Sequence, residues 1–138
     1  MSNMKLGRVG LWSADFDLQP MKKAQEAIAQ VEEMGFGTVW VPEAVLREPF
    51  ASTSLLLSAT KNMVLATGIA SLHARTAQTM QAGWKTVSEA FPDLFRLGIG
   101  VSHAPMVDGV HKGVTVNYHF SLKELLEISE IERQILGI

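Results

Sequence analysis

Apolar positions along this chain alternate between two rhythms. Val9-Gly-Leu-Trp12 is a short apolar run followed by polar residues 13–19. Pro20 then takes a first helical position, where its missing N–H goes unneeded. Met21, Ala24, Ile28, Val31 and Met34 follow at spacings of 3, 4, 3 and 3, one face of an amphipathic helix. Lys22, Lys23, Glu26, Glu32 and Glu33 fill its solvated faces, and Gly35 and Gly37 supply the stop. Thr38-Val-Trp-Val41 is apolar without alternation, the pattern of a parallel strand covered on both faces. Pro49 opens a second helix reaching about Ala59, and Met63–Ile69 reads as the third strand. Ala77, Met80, Trp84, Val87 and Phe91 make the stripe of a third helix, ended by Pro92. Phe95–Gly100 is the fourth strand, and Ser121-Leu-Lys-Glu124 has the form of a capping box starting a helix to about Leu136.

These are four successive β/α units of about 30 residues, the size of a βαβ repeat. Right-handed crossovers place the four strands parallel in one sheet. Two architectures fit: a small open doubly wound sheet, or half of an eight-stranded β/α barrel, which takes about 250 residues. The 138 residues form one domain, 1–138. The irregular stretch 104–119 has the length at which loops tend to be functional or mobile.

Composition removes several classes of function. A net charge of −2, with 12 scattered Lys and Arg, provides no footprint for nucleic acid. No apolar run approaches the ~20 residues of a membrane span. Met1–Gly7 has no apolar core of a signal peptide. Cysteine is absent, which removes disulfides and thiolate chemistry and suits a reducing cytoplasm.

The chemistry-bearing residues gather after apolar strands. Trp12 ends the first, Glu43 follows the second, and Gly68, Ile69, Ser71 and His73 follow the third. Gly98, Gly100, Ser102 and His103 end the fourth. The carboxyl ends of parallel strands are where α/β proteins place their sites, so one shared site is expected. Glu43 is read either as an acid/base at the mouth or as a loop carboxylate paired with Arg47. His73 and His103 end adjacent strands, but no further ligands at suitable spacing make a zinc site of them. Ser102 lacks the Gly-x-Ser-x-Gly elbow of a hydrolase, and Gly98-Ile-Gly100 lacks the third glycine of a dinucleotide fingerprint. Met80 and Trp84 are read as packing, while Trp12 lines a ligand pocket or fills the core.

Gly7-Arg-Val-Gly-Leu-Trp12, Val41-Pro-Glu-Ala44, Ala66-Thr-Gly-Ile-Ala70 and Leu97–Pro105 together resemble the bacterial luciferase-like monooxygenase superfamily, and its coenzyme F420-dependent branch in particular. The resemblance is collinear from about residue 7 to 110; the tail 111–138, with His111 and His119, diverges from it. It implies the N-terminal half of a (β/α)8 barrel, with a flavin or deazaflavin ring held at the carboxyl-terminal mouth. It also implies a bulge with a non-proline cis peptide after the third strand, which maps onto Thr67-Gly68-Ile69. Its implied site has Glu43 and His103 as catalytic groups. Trp12, Gly68, Ile69, Ser71, His73, Gly100 and Ser102 surround the cofactor, which is F420, with FMN as the alternative. Where some F420-dependent relatives carry an acid followed by histidine, this chain has Glu43-Ala44. Family members run to about twice this length, and their later strands contribute much of the phosphate-tail site. The expected activity is hydride transfer between cofactor and a small organic substrate, in a truncated chain. The competing expectation is a non-catalytic half-barrel remnant or a subunit pairing with another chain. Either way the open sheet predicts a homo-oligomer or a complementary half-barrel partner.

Overall fold

The computed structural model describes residues 6–44, 46–103 and 105. The chain begins with β1 (Gly10–Trp12), the single turn α1 (Asp15–Leu18) and the helix α2 (Met21–Glu33). Then come β2 (Thr38–Val41), α3 (Pro49–Leu57), β3 (Val64–Thr67), the short β4 (Ala70–Ser71) and α4 (Ala77–Ala90). β5 (Phe95–Arg96) and β6 (Ile99–Gly100) complete the described elements. Local chemistry sets these boundaries. Glu48 caps α3, its carboxylate accepting from the Ala51 N–H at 2.7 Å, with Pro49 in the first turn. Thr76 caps α4 through the Thr79 N–H, and Gly35 leaves α2 with a φ of 90° that favours glycine.

All pairings are parallel, and the main sheet runs β1-β2-β3-β5. The register aligns Leu11, Val39, Leu65 and Phe95 in one cross-strand row. Side chains alternate across a strand, so this row shares a face, and it packs with Ala24, Ile28, Leu56, Leu57, Met80 and Val87 from α2, α3 and α4. The helices therefore share one side of a sheet whose strand order follows the chain. A doubly wound sheet places helices on both faces and reverses its order; the arrangement here is a singly wound β/α half-barrel. Trp12, Trp40, Ala66 and Arg96 form the next row, on the opposite face. That face corresponds to a barrel interior, and Trp12 is 60% exposed on it.

Some expectations change. The fourth strand is split into β5 and β6, because the Thr67 hydroxyl accepts from the Gly98 N–H and donates to the Gly98 carbonyl, both at 2.8 Å. A side chain where Thr67 reaches would not fit: a Cβ on Gly98 would overlap the Thr67 carbonyl oxygen. β6 then pairs with β4 instead, aligning Ser71 with Gly100. The turn α1 falls in a stretch expected to be loop, α3 stops at Leu57, and Pro20 precedes α2 rather than opening it. Met34, placed on the buried stripe, is 72% exposed because the helix has already ended there. Glu32, assigned to a solvated face, accepts from the backbone N–H groups of Lys61, Asn62 and Met63. The expected helix 121–136 and nearly all of the loop 104–119 lie outside the described residues.

Candidate cofactor site at the strand ends

The site is built around residues 68–71, which leave β3 and enter β4. The Gly68–Ile69 peptide bond is cis, at the position the motif implied. Hydrogen bonds hold the backbone on both sides of this bond. The Gly68 N–H donates to the Val41 carbonyl at 2.8 Å, and the Ile69 carbonyl accepts from the Glu43 N–H at 2.9 Å. The Ala70 and Leu72 N–H groups donate to the Gly98 and Gly100 carbonyls. The Gly68 carbonyl accepts from the Trp12 indole Nε1 at 2.8 Å. Trp12 is thus neither core filler nor a free surface side chain. It is an exposed indole locked in one orientation against the bulge. A Cβ on Gly68 would stand 3.3 Å from both Trp12 and Trp40, so glycine permits the close approach of these rings.

Glu43 closes the other side. Its Oε2 accepts from the Ser71 N–H at 2.6 Å and from Arg75 Nη1 at 2.8 Å, while Arg75 Nη2 bonds Oε1. The side chains of Arg75 and Glu43 are 8% and 12% exposed. Glu43 therefore pairs with Arg75 and not with Arg47, whose Nη2 donates to the Gln19 carbonyl at 2.5 Å. Arg75 also stands 3.6 Å from Glu48 and 5.4 Å over the Phe50 ring. Arg75 does not stand out in the sequence. Its signal was faint: an arginine four residues past Ser71, where a strand-end turn can fold it back.

The remaining predicted residues lie along the same end. Ser71 is buried, and its hydroxyl accepts from the His73 N–H at 3.3 Å. His73 Nε2 is buried with no hydrogen-bond partner. The β4–β6 register brings this segment beside Gly100, and the backbone continues through Ser102, whose φ is 61°, to the exposed His103. Ile69 packs on Gly100, where an added Cβ would meet its Cγ1 at 3.2 Å. At the rim, Asp17 is buried with Oδ2 unpartnered. Desolvation raises its pKa above the usual 3.8, and the nearby Arg47 charge partly opposes this.

Concavities among the described residues also lie away from the bulge. A groove of about 430 Å³ between α3 and α4 is lined by Phe50, Ser54, Arg75, Thr79 and Gly83 among others. Another, of about 480 Å³, lies by Glu32, Phe36, Lys61 and Met63 at the opposite end of the sheet. Among the described residues no group of three or more His, Asp or Glu could hold a metal. None of their helices is long and apolar enough to cross a membrane.

Known proteins resemble this chain in sequence or share its fold. A Mycobacterium tuberculosis protein named as a coenzyme F420-dependent oxidoreductase is 31% identical over 109 residues, covering 78% of this chain and 30% of its own. An F420-dependent secondary alcohol dehydrogenase, solved with an F420–acetone adduct, superposes with a TM-score of 0.77 at 19% identity. That likeness covers 91% of this chain and 40% of the dehydrogenase. The FMN-bound oxygenating constituent of 3,6-diketocamphane monooxygenase from Pseudomonas putida, a type II Baeyer-Villiger enzyme, gives 0.66 at 14% identity. There the coverage is 94% and 38%. At such identities the structural likeness speaks for the fold, and this chain spans less than half the length of each relative. The luciferase-like monooxygenase family matches residues 5–137, a span that includes most of the tail 111–138. With that match added to a singly wound half-barrel and its cis bulge, the chain belongs to the luciferase-like monooxygenase family.

Proposed function

We propose that the strand ends of this chain hold the tricyclic ring of coenzyme F420, with FMN as the second choice, in an oxidoreductase acting on a small organic substrate. The observation that carries the reading is the pairing of an immobilised, exposed indole with a bulge held by hydrogen bonds from neighbouring strands and side chains. Trp12 is 60% exposed yet fixed by the Gly68 carbonyl, so it offers a flat ring a wall without further ordering cost. The cofactor would supply hydride chemistry, and the protein supplies ring placement and a shielded pocket. Ile69 lies beneath the ring position, with Gly100 and Ser102 beside it. His73 Nε2, buried without a partner, answers to a polar atom on the ring edge, since buried polar groups are normally bonded. His103, exposed at the mouth, is free to hold or move a proton at the substrate. Glu43, with both oxygens engaged, holds the bulge. The absence of cysteine is in keeping with a cytoplasmic setting.

A second reading has its own observation. Among the described residues no helix covers the face bearing Trp12 and Arg96, and β1 and β5 are the edges of the sheet they form. Unpaired edges invite pairing, so a further copy or a complementary half-barrel would close the mouth, with or without catalysis.

Titration with F420 and, separately, with FMN tests the first reading through ligand absorbance and tryptophan emission. F420 is expected to bind and quench Trp12, and Trp12→Ala to weaken binding about tenfold, the scale of one aromatic contact. Binding of neither ligand would overturn it.

A further inference from the structure

We infer that Arg75 is a positioning residue for the strand-end site, acting on the ring wall through Glu43; the functional part of this rests on the cofactor reading above. Glu43 clasps the bulge twice. Its backbone N–H holds the Ile69 carbonyl at 2.9 Å, and its Oε2 holds the Ser71 N–H at 2.6 Å. The clasp works only if the carboxylate keeps one orientation. Arg75 fixes that orientation with a two-pronged contact, Nη1 to Oε2 and Nη2 to Oε1, the fork geometry that guanidinium offers and an ammonium does not.

Arg75 is itself held from several sides. Its Nη1 reaches the Ser71 carbonyl at 3.4 Å, Glu48 stands 3.6 Å from Nη2, and the Phe50 ring lies 5.4 Å beneath. Its side chain also lines the groove between α3 and α4, on the helical side of the sheet. It therefore reaches the mouth through Glu43 and, more weakly, through the Ser71 carbonyl. The clasped residues 69–71 are continuous with Gly68, whose carbonyl accepts from Trp12. Loosening Glu43 frees that carbonyl to shift and releases the indole. Supporting contacts of this kind decide how tightly a site is held.

The test compares wild type with Arg75→Lys and Arg75→Met in ¹⁵N-labelled protein. It follows the indole N–H signals of Trp12, Trp40 and Trp84, with Trp12 assigned from Trp12→Phe. In Arg75→Met the Trp12 signal is expected to move and its hydrogen exchange to quicken tenfold or more, while Trp84 stays put. Arg75→Lys should fall between. An unchanged Trp12 signal in either variant, with a lowered melting temperature, would make Arg75 merely structural and overturn the inference. If the methionine variant does not fold, the lysine variant read below its melting temperature decides in the same way. F420 and FMN titrations of the same samples keep the two ideas apart. Wild type binding neither ligand refutes the cofactor reading, while the Trp12 signal still decides the role of Arg75.

Discussion

Two glutamates clamp the two ends of β3, and they do so differently. Glu32, on the last turn of α2, accepts from three consecutive N–H groups, Lys61, Asn62 and Met63, where the chain enters β3. Glu43 grips residues 69–71 where the chain leaves it, and shares its carboxylate with Arg75. The first carboxylate is satisfied by main chain alone and fastens a loop to a helix. The second is nearly buried, needs a guanidinium partner, and sits beside an exposed indole and an unpartnered imidazole nitrogen. In β/α barrels the amino-terminal face serves stability and the carboxyl-terminal face carries chemistry. The same residue type thus does architectural work at one end and shapes a candidate ligand surface at the other.

The largest expected effect breaks the carboxyl-terminal clamp. Glu43→Ala leaves buried Arg75 with the more distant Glu48 as its remaining carboxylate, and removing one partner of a buried pair costs about 3 kcal/mol. Urea denaturation checks the value; a loss no larger than that of an exposed pair would place Glu43 with surface charges. Next comes Gly98→Ala, expected to cost about 2 kcal/mol through overpacking, since its Cβ meets the Thr67 carbonyl. Thermal melts read this, and a neutral result would mean that β5 and β6 can part without loss. Glu32→Ala should cost about 1.5 kcal/mol, the scale of hydrogen bonds to a charged group. Hydrogen exchange should quicken at residues 61–63 while residues 68–71 remain unaffected.

The smallest effect has the opposite sign. Folding raises the pKa of Asp17 by desolvation, so the folded state binds its proton more tightly than the unfolded chain does. Ionised Asp17 therefore lowers stability above the raised pKa, and the cost disappears as pH falls through that value toward 3.8. Asp17→Asn should raise the melting temperature slightly at pH 7 and change it little at the acid end. A variant less stable at pH 7 would show that attraction to Arg47 outweighs desolvation.

Much of the layout was legible because it rests on periodicity. Thr38–Val41 and the Met80 and Val87 stripe follow from which residues must be apolar, and the order of units limits the topology. Trp12, Glu43, Gly68, Ile69, Ser71 and Gly100 stand together because strand ends converge in a parallel sheet. The partners were not legible. Arg75 reaches back across 32 residues to Glu43, and Glu32 reaches forward 29 to Lys61; no local spacing signals such contacts. The broken fourth strand escaped for a related reason. Thr67 competes with the ladder for Gly98 through one hydroxyl, and an apolar run gives no hint of it. Motif resemblance located the cis bulge, which composition and periodicity could not.

If the Glu43 end holds a cofactor ring, as proposed, and the Glu32 end does not, F420 affinity will separate Glu43→Gln from Glu32→Gln, each measured well below its melting temperature against wild type. Glu43→Gln should weaken binding tenfold or more, and Glu32→Gln should leave it within twofold. Equal losses in the two variants, or none in Glu43→Gln, would place the cofactor elsewhere or nowhere on this chain.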